Sequence, residues 1–257
     1  AFSDDRYTSL ENVNICLANF APDFNYPFKP IAMNKWLLAV FFLFVSAAGF
    51  SQVSIGAQVG GVLSSPSIKS TDLFDQSIDA KSRFSWKAGF VFDIPFGEDG
   101  WRFMPELNYV NKGFDVDMST SFLGEPVMIK GNSNIGYLEI PLNVAYAVEM
   151  GDNNLVIGAG PYVAYGLTGK NDFDASVGGQ IVVSDKEDID FGSDPGQVKP
   201  FDYGANLSVS YLLSGGIAFK ANYNLGLANI SNEGNGSSYK NNYLGLSIVY
   251  FFKRAGE

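Results

Sequence analysis

From residue 53 onward, hydrophobic and polar positions alternate with a period of two. The stretch "YLEIPLNVAYAVEM", Tyr137 to Met150, shows it clearly: Leu138, Ile140, Leu142, Val144, Tyr146 and Val148 are separated by Glu139, Pro141, Asn143, Ala145, Ala147 and Glu149. A period of two means an extended strand with one apolar face and one polar face. The pattern predicts eight strands, at about 53–62, 83–95, 101–113, 135–149, 154–168, 201–213, 216–228 and 242–252. These are longer than the five or six residues usual in soluble sheets and suit a tilted strand crossing a bilayer.

The connections alternate in length. "FGEDG" (96–100), "GDNN" (151–154) and "LSGG" (213–216) are tight turns, whereas 63–82, 114–134, 169–200 and 229–241 read as long loops. Short turns at one end and long loops at the other predict an all-β, eight-stranded, antiparallel up-and-down transmembrane β-barrel, with short periplasmic turns and long extracellular loops.

The composition of the two faces decides which side is wet. In "NLVIGAGPYVAYGLTG" the face opposite Leu155, Ile157, Val163 and Leu167 consists largely of Gly, Ala and Thr. Small residues suit the confined interior of an eight-stranded barrel better than a solvated surface. The polar face is therefore expected inside and the apolar face in lipid. Phe92, Trp101, Phe103, Tyr250 and Phe252 cluster at one set of strand ends, and Phe84, Trp86, Tyr165, Phe201 and Tyr203 at the other. Two aromatic girdles follow.

Composition narrows the chemistry. The chain has 257 residues, a net charge of −10, 15% aromatic and 17% charged residues, no His, and one Cys, Cys16. The dispersed positive charge argues against a nucleic-acid partner. Without His, and with Cys16 placed outside the mature protein, no Ser-His-Asp triad, Cys nucleophile or ordinary zinc site can form. No catalytic residue and no cofactor is expected.

The beginning of the chain reads as targeting sequence. "MNKWLLAVFFLFVSAAGFSQ" starts at Met33 with a short basic region, an apolar core from Trp36 to Val45, and the small residues Ser46, Ala47, Ala48 and Gly49. It is expected to be a signal peptide spanning 33–51. Residues 1–32 are read as an over-extended, disordered N-terminus, and 52–257 as the outer-membrane β-barrel domain. The expected address is the outer membrane of a Gram-negative bacterium, after removal of the signal peptide.

Two groups of residues are candidates for function. Alternation points Lys87, Asp93, Arg102, Glu106, Lys112, Glu139, Asn143, Glu149 and Lys220 into the lumen, together with Asn108, Asn206 and Asn222. Four cations against four anions suggest mutual neutralisation, since unpaired buried charge is costly. Such a network fills and stiffens the barrel; a narrow path for water or small solutes and a catalytic carboxylate pair are the alternatives. The segment 170–199 carries Asp172, Asp174, Asp185, Glu187, Asp188, Asp190 and Asp194. Its spacing does not match an EF-hand, so an acidic surface loop, solvated or bridged to lipopolysaccharide by divalent ions, is expected rather than a dedicated metal site.

The motifs "PELNYVNKGF" (105–114), "YLEIPLNVAY" (137–146), "GPYVAY" (160–165), "YNLGLANI" (223–230) and "NNYLGLSIVYFF" (241–252) occur in order at matching distances. In this the chain resembles the PorT-like outer-membrane β-barrel family of Bacteroidota across residues 53–252. The resemblance implies a barrel of about eight strands without a defined activity. It adds outer-membrane lipid, lipopolysaccharide and the barrel-assembly machinery as expected partners, with an envelope or secretion protein as a further candidate. Three readings stand: a structural or interaction barrel, a small-solute channel, and a secreted lipocalin-like barrel. The last requires Leu138, Ile140 and Leu142 to line an internal cavity.

Overall fold

The structure is a computed structural model and describes residues 53–69, 80–97, 99–122, 125–232 and 237–252. The expected signal peptide and the segment before it lie outside the described residues.

Among the described residues eleven strands follow one another: β1 (Ser54–Ser64), β2 (Ser67–Lys69), β3 (Ala80–Pro95), β4 (Trp101–Phe122), β5 (Glu125–Met150), β6 (Asn153–Val177), β7 (Gln180–Asp188), β8 (Phe201–Leu212), β9 (Ile217–Gly226), β10 (Ser238–Lys240) and β11 (Asn242–Phe251). Eight of them close a ring in the order β1-β3-β4-β5-β6-β8-β9-β11, all antiparallel, and β11 pairs back onto β1. This is the eight-stranded up-and-down barrel that the alternation predicts. Closure satisfies every strand edge within the ring, which a lipid environment requires.

The two faces separate sharply. Outside, Val59, Leu63, Trp86, Leu142, Val163, Leu207, Phe219, Leu246 and Ile248 are exposed; inside, Lys87, Glu106, Glu139, Asn143, Asn206, Asn222 and Asn224 are buried. Leu138 and Leu142 point outward and charged side chains fill the middle of the lumen, so the lipocalin-like reading fails. Aromatic pairs mark both rims of the apolar band. Trp101–Tyr146 and Tyr250–Phe252 lie at the short-turn end, with ring centroids 5.2 and 5.7 Å apart. Trp86–Tyr109 and Tyr165–Phe201 lie at the other, at 5.4 and 5.0 Å. One lumenal glycine is dictated by close approach. A Cβ on Gly160 would meet the carbonyl oxygen of Leu142 and lie 2.9 Å from the Asn143 Cα on the neighbouring strand.

The long connections differ from expectation. Residues 114–134 and the first part of 169–200 were expected as loops; most of them are strand. β4 and β5 run on as a hairpin to Phe122 and Glu125, and β6 runs on to Val177 and returns as β7. The connection 229–241, expected to be a long loop, contains β10, which pairs with β2. β5 has 26 residues, roughly 85 Å of extended chain, several times the ~25 Å apolar band it crosses.

The result is a four-stranded sheet, β4-β5-β6-β7, standing beyond the barrel mouth. At its base β6 exchanges partners: Asn154–Tyr165 pair with β8, Lys170–Val177 with β7. Its face polarity is reversed relative to the barrel. Val116, Met118, Val127, Ile129, Phe173, Ala175 and Val183 share the inner side, in register across the four strands. The outer side carries ion pairs, Lys81–Asp117 and Arg83–Asp115, each at 2.6 Å. The hydrogen bond from Lys81 holds the Asp117 carboxyl below its ordinary range. Outside the membrane the outward face meets water rather than lipid, so the preference inverts.

Candidate functional site

The lumen is layered. At the short-turn end Arg102 Nη1 meets Asp93 Oδ2 at 2.5 Å. Above them lies an apolar floor of Val91, Leu212, Ala218, Val249 and Phe251, with Met104 packed against it. Ala145, Ala147 and Val156 complete that level.

The middle layer is built on Glu106. Its carboxylate forms an ion pair with the Lys220 ammonium and accepts hydrogen bonds from Gln58 Nε2 at 2.8 Å, Asn108 Nδ2 at 3.1 Å and Asn143 Nδ2 at 3.2 Å. Strand alternation places these donors: every second residue of β1, β4, β5 and β9 faces the axis. An amide relay leads away from this layer. Lys87 Nζ donates to Asn222 Oδ1 at 2.6 Å, Asn222 Nδ2 to Asn224 Oδ1 at 2.8 Å, and Asn224 Nδ2 to Glu139 Oε1 at 3.1 Å. Asn206 Nδ2 also donates to Asn224 Oδ1.

The upper layer is centred on Lys112. Its ammonium lies 2.8 Å from Glu139 Oε2 and 3.0 Å from Asp202 Oδ2, with both carboxylates fully buried. Three tyrosine rings surround it: Tyr137 and Tyr162 at 4.9 Å and Tyr243 at 5.3 Å from their centroids. Tyr243 Oη donates to Glu139 Oε1 at 2.5 Å, and Asn241 Nδ2 to Asp202 Oδ2 at 3.1 Å. A cation held by two carboxylates and three ring faces is compensated on every side.

Above Lys112 the mouth is covered. Ile189, Phe191, Val198 and Tyr239 pack onto Ile135, Tyr137, Tyr162 and Ala164. The covering segment, 189–200, is tied down through its backbone: Ile189 N to Gly169 O at 2.9 Å, Gly166 N to Pro200 O at 2.8 Å and Lys199 N to Ile230 O at 2.8 Å. Burial pushes the Tyr239 phenol well above its ordinary range.

Of the lumenal residues expected from sequence, Lys87, Asp93, Glu106, Lys112, Glu139, Asn143 and Lys220 are buried inside the barrel, and Arg102 is half-buried. Glu149 is not inside: it is exposed, at the end of β5 and below the apolar floor. Its strand parity is inward, but the chain turns at Gly151 where water reaches it. Asp202 takes the fourth anionic place. The alternation Phe201-Asp202-Tyr203 was the signal for it, masked by the two flanking aromatics.

The acidic residues of 170–199 do not form one loop. Asp172 and Asp174 lie on β6; Asp185, Glu187 and Asp188 lie on β7; Asp190 and Asp194 lie in the covering segment. Lys186 and Asp172 are cross-strand partners, as are Lys170 and Asp188. Among the described residues no three Asp, Glu, His or Cys side chains converge as a metal site.

The family model for the outer membrane protein beta-barrel domain matches residues 41–232. No curated protein matches the chain. Among solved structures, the chain is similar to Ail, the attachment invasion locus protein of Yersinia pestis, crystallised with the heparin analogue sucrose octasulfate: 10% identity, 78% of this chain and 99% of that chain covered, TM-score 0.33. It is also similar to OccK2 (OpdF) of Pseudomonas aeruginosa, at 9% identity, 78% and 98% coverage and TM-score 0.19. With the family match extending over well over half its length, the chain belongs to the outer membrane protein β-barrel domain family.

Proposed function

We propose that this outer-membrane barrel is a closed, non-conducting anchor that holds a rigid sheet outside the cell as an interaction surface. The observation that carries the reading is the layering of the lumen. An apolar floor, a charge-compensated middle and an apolar cover follow one another along the axis. Among the described residues, Lys87, Arg102, Lys112 and Lys220 balance Asp93, Glu106, Glu139 and Asp202. A conducting path would have to break several charge-assisted hydrogen bonds in the middle layer and expose the apolar ends to water. Nothing in this arrangement poises a carboxylate for chemistry, because each is engaged by a cation or by amides, so a catalytic role is not part of the proposal.

In this reading the signal peptide is removed, the short turns face the periplasm, and the sheet β4-β5-β6-β7 and the segment 189–200 face outward. The lipid-facing band contacts outer-membrane lipid and lipopolysaccharide, insertion uses the barrel-assembly machinery, and an envelope or secretion protein is the partner of the outer sheet. The motifs at 105–114, 137–146 and 223–230 support placing the chain in the PorT-like branch of its family.

Orientation is tested by labelling whole cells, since with Cys16 outside the mature protein the barrel carries no cysteine of its own. A cysteine at Ser184, on β7, is expected to react with a membrane-impermeant maleimide on intact cells. A cysteine at Asp152, in the turn between β5 and β6, is expected to react only after the outer membrane is opened. The reverse pattern overturns the orientation.

A further inference from the structure

The outer sheet ends on an open edge. β7 is the last strand in the order β5-β4-β3-β1-β11-β9-β8-β6-β7, and its far side faces no described strand. All nine of its residues are exposed. Unpaired strand edges are templates for another strand, and a bulge and charged side chains, both present on β7, restrict which strand can add. We propose that the outer edge of β7 binds an extended segment of a partner protein by strand addition, and that this segment is basic in its N-terminal half and β-branched in its C-terminal half. The proposal rests on the outward orientation inferred above and names the part of that surface which is used.

Four features define the occupant. The first is preorganisation. β6 and β7 are joined through Gly178 and Gly179, with φ of 59° and 81°. Two successive positive φ values are the hairpin turn that matches strand twist. The edge is further backed by β5 and β4, so little ordering is left to the moment of binding.

The second is register. Ala175 pairs with Val183 and Ser176 with Ile181, which leaves Val182 as a bulge. The regular run available for pairing is therefore Val183–Asp188, and Ile181 and Val182 stand exposed beside it at 68% and 60%.

The third is charge. The regular run contains Asp185, Glu187 and Asp188 against the single cation Lys186. An antiparallel partner places its N-terminal residues opposite this acidic half and its C-terminal residues beside Val183, Val182 and Ile181. Basic residues followed by β-branched ones match both halves.

The fourth is the face. Val183 stands on the inner side beside Ala175, and Asp185 and Glu187 follow it on that side beside Phe173 and Asn171, so an added strand meets one apolar and two acidic residues there, the apolar one opposite its C-terminal half and the acidic ones opposite its basic half.

A second copy of this chain fits poorly. Antiparallel self-pairing across the full strand sets Ile181 against Glu187 and Val183 against Asp185, and parallel self-pairing stacks the acidic halves on each other. A register centred on Val182 pairs only the residues from Gln180 to Ser184 and drives each acidic half past the other's turn.

The test uses the full barrel refolded in detergent micelles. The probe is a synthetic peptide with Lys and Arg in its N-terminal half and alternating Val and Thr in its C-terminal half. Its control is the same peptide N-methylated at alternate residues, which keeps charge and apolarity but cannot form a ladder. Binding is read by fluorescence anisotropy, and folding by the heat-dependent shift in gel mobility. The expected result is binding that weakens with salt, is lost on N-methylation, and falls about tenfold or more in Asp185→Lys/Glu187→Lys. Equal binding of the N-methylated peptide would reduce the contact to charge alone and overturns the proposal. So does absence of binding by refolded protein that keeps its heat shift, while the separate labelling of intact cells gives the expected pattern, an outcome that leaves the orientation standing. Loss of the labelling pattern overturns the orientation itself. Self-association of the barrel through β7, seen by sedimentation and abolished by Val182→Lys, names a second copy as occupant and also overturns the proposal.

Discussion

Replacing Lys112 by Met is expected to cost the barrel about 3–5 kcal/mol of stability, because it leaves the buried charges of Glu139 and Asp202 without their cation. The geometry sets the size of the effect. Lys112 Nζ is 2.8 and 3.0 Å from the two carboxylates, all three groups are essentially inaccessible, and the surrounding tyrosine rings keep water away. Neutralising the carboxylates as well, in Lys112→Met/Glu139→Gln/Asp202→Asn, is expected to recover most of the loss, since the penalty belongs to unpaired charge and not to a missing contact. Urea unfolding in lipid vesicles, followed by tryptophan fluorescence, measures both variants. A loss below about 1 kcal/mol for Lys112→Met is the size of an exposed ion pair. It would mean that water reaches this layer and that the barrel is open at its mouth.

Leu246→Arg is the second large effect. Leu246 is 63% exposed, on β11 in the middle of the apolar band. In water an exposed leucine is replaced with little consequence, within about ±0.5 kcal/mol. At the centre of a bilayer an arginine on the lipid face of a barrel costs about 2–4 kcal/mol. Ile181 provides the control, because it is 68% exposed on β7, beyond the barrel mouth. Ile181→Arg is expected to leave stability unchanged while Leu246→Arg lowers it, measured in the same vesicles. Equal effects at the two positions would contradict the assignment of lipid to one and water to the other.

These two positions also show how far the sequence could be read. Strands, tight turns and the direction of both faces were legible within the apolar band, because lipid outside and a confined polar space inside enforce a strict period of two. The outer sheet was not. In "GFDVDMSTS" the period persists, but its phase changes: Phe114, Val116 and Met118 lie on the inner side, where Glu106, Asn108 and Lys112 lie lower down the same strand. Leaving the membrane exchanges which face must be polar, and the change of phase at Lys112–Gly113 reads as the end of a strand when it is only the end of the bilayer. The same exchange in β5 falls between Ile135 and Leu138.

The candidate site was legible to a similar degree. Alternation alone reaches Lys87, Glu106, Lys112, Glu139 and Lys220. It misjudges Glu149, because parity says nothing about depth, and it passes over Asp202, because flanking rings drew attention to the girdle. Which cation meets which anion depends on strand stagger. Lys112 faces Asp202 from the far side of the ring, 90 residues away in sequence, and only barrel closure brings them together.

The central claim is that the lumen is closed by its own side chains. Conductance of the purified barrel in planar lipid bilayers tests it most directly. The layered interior predicts a flat baseline, with no steady openings across the accessible voltage range. Reproducible steps of constant size from protein that retains its heat-dependent gel shift would contradict it and would make the charged middle layer the lining of a channel.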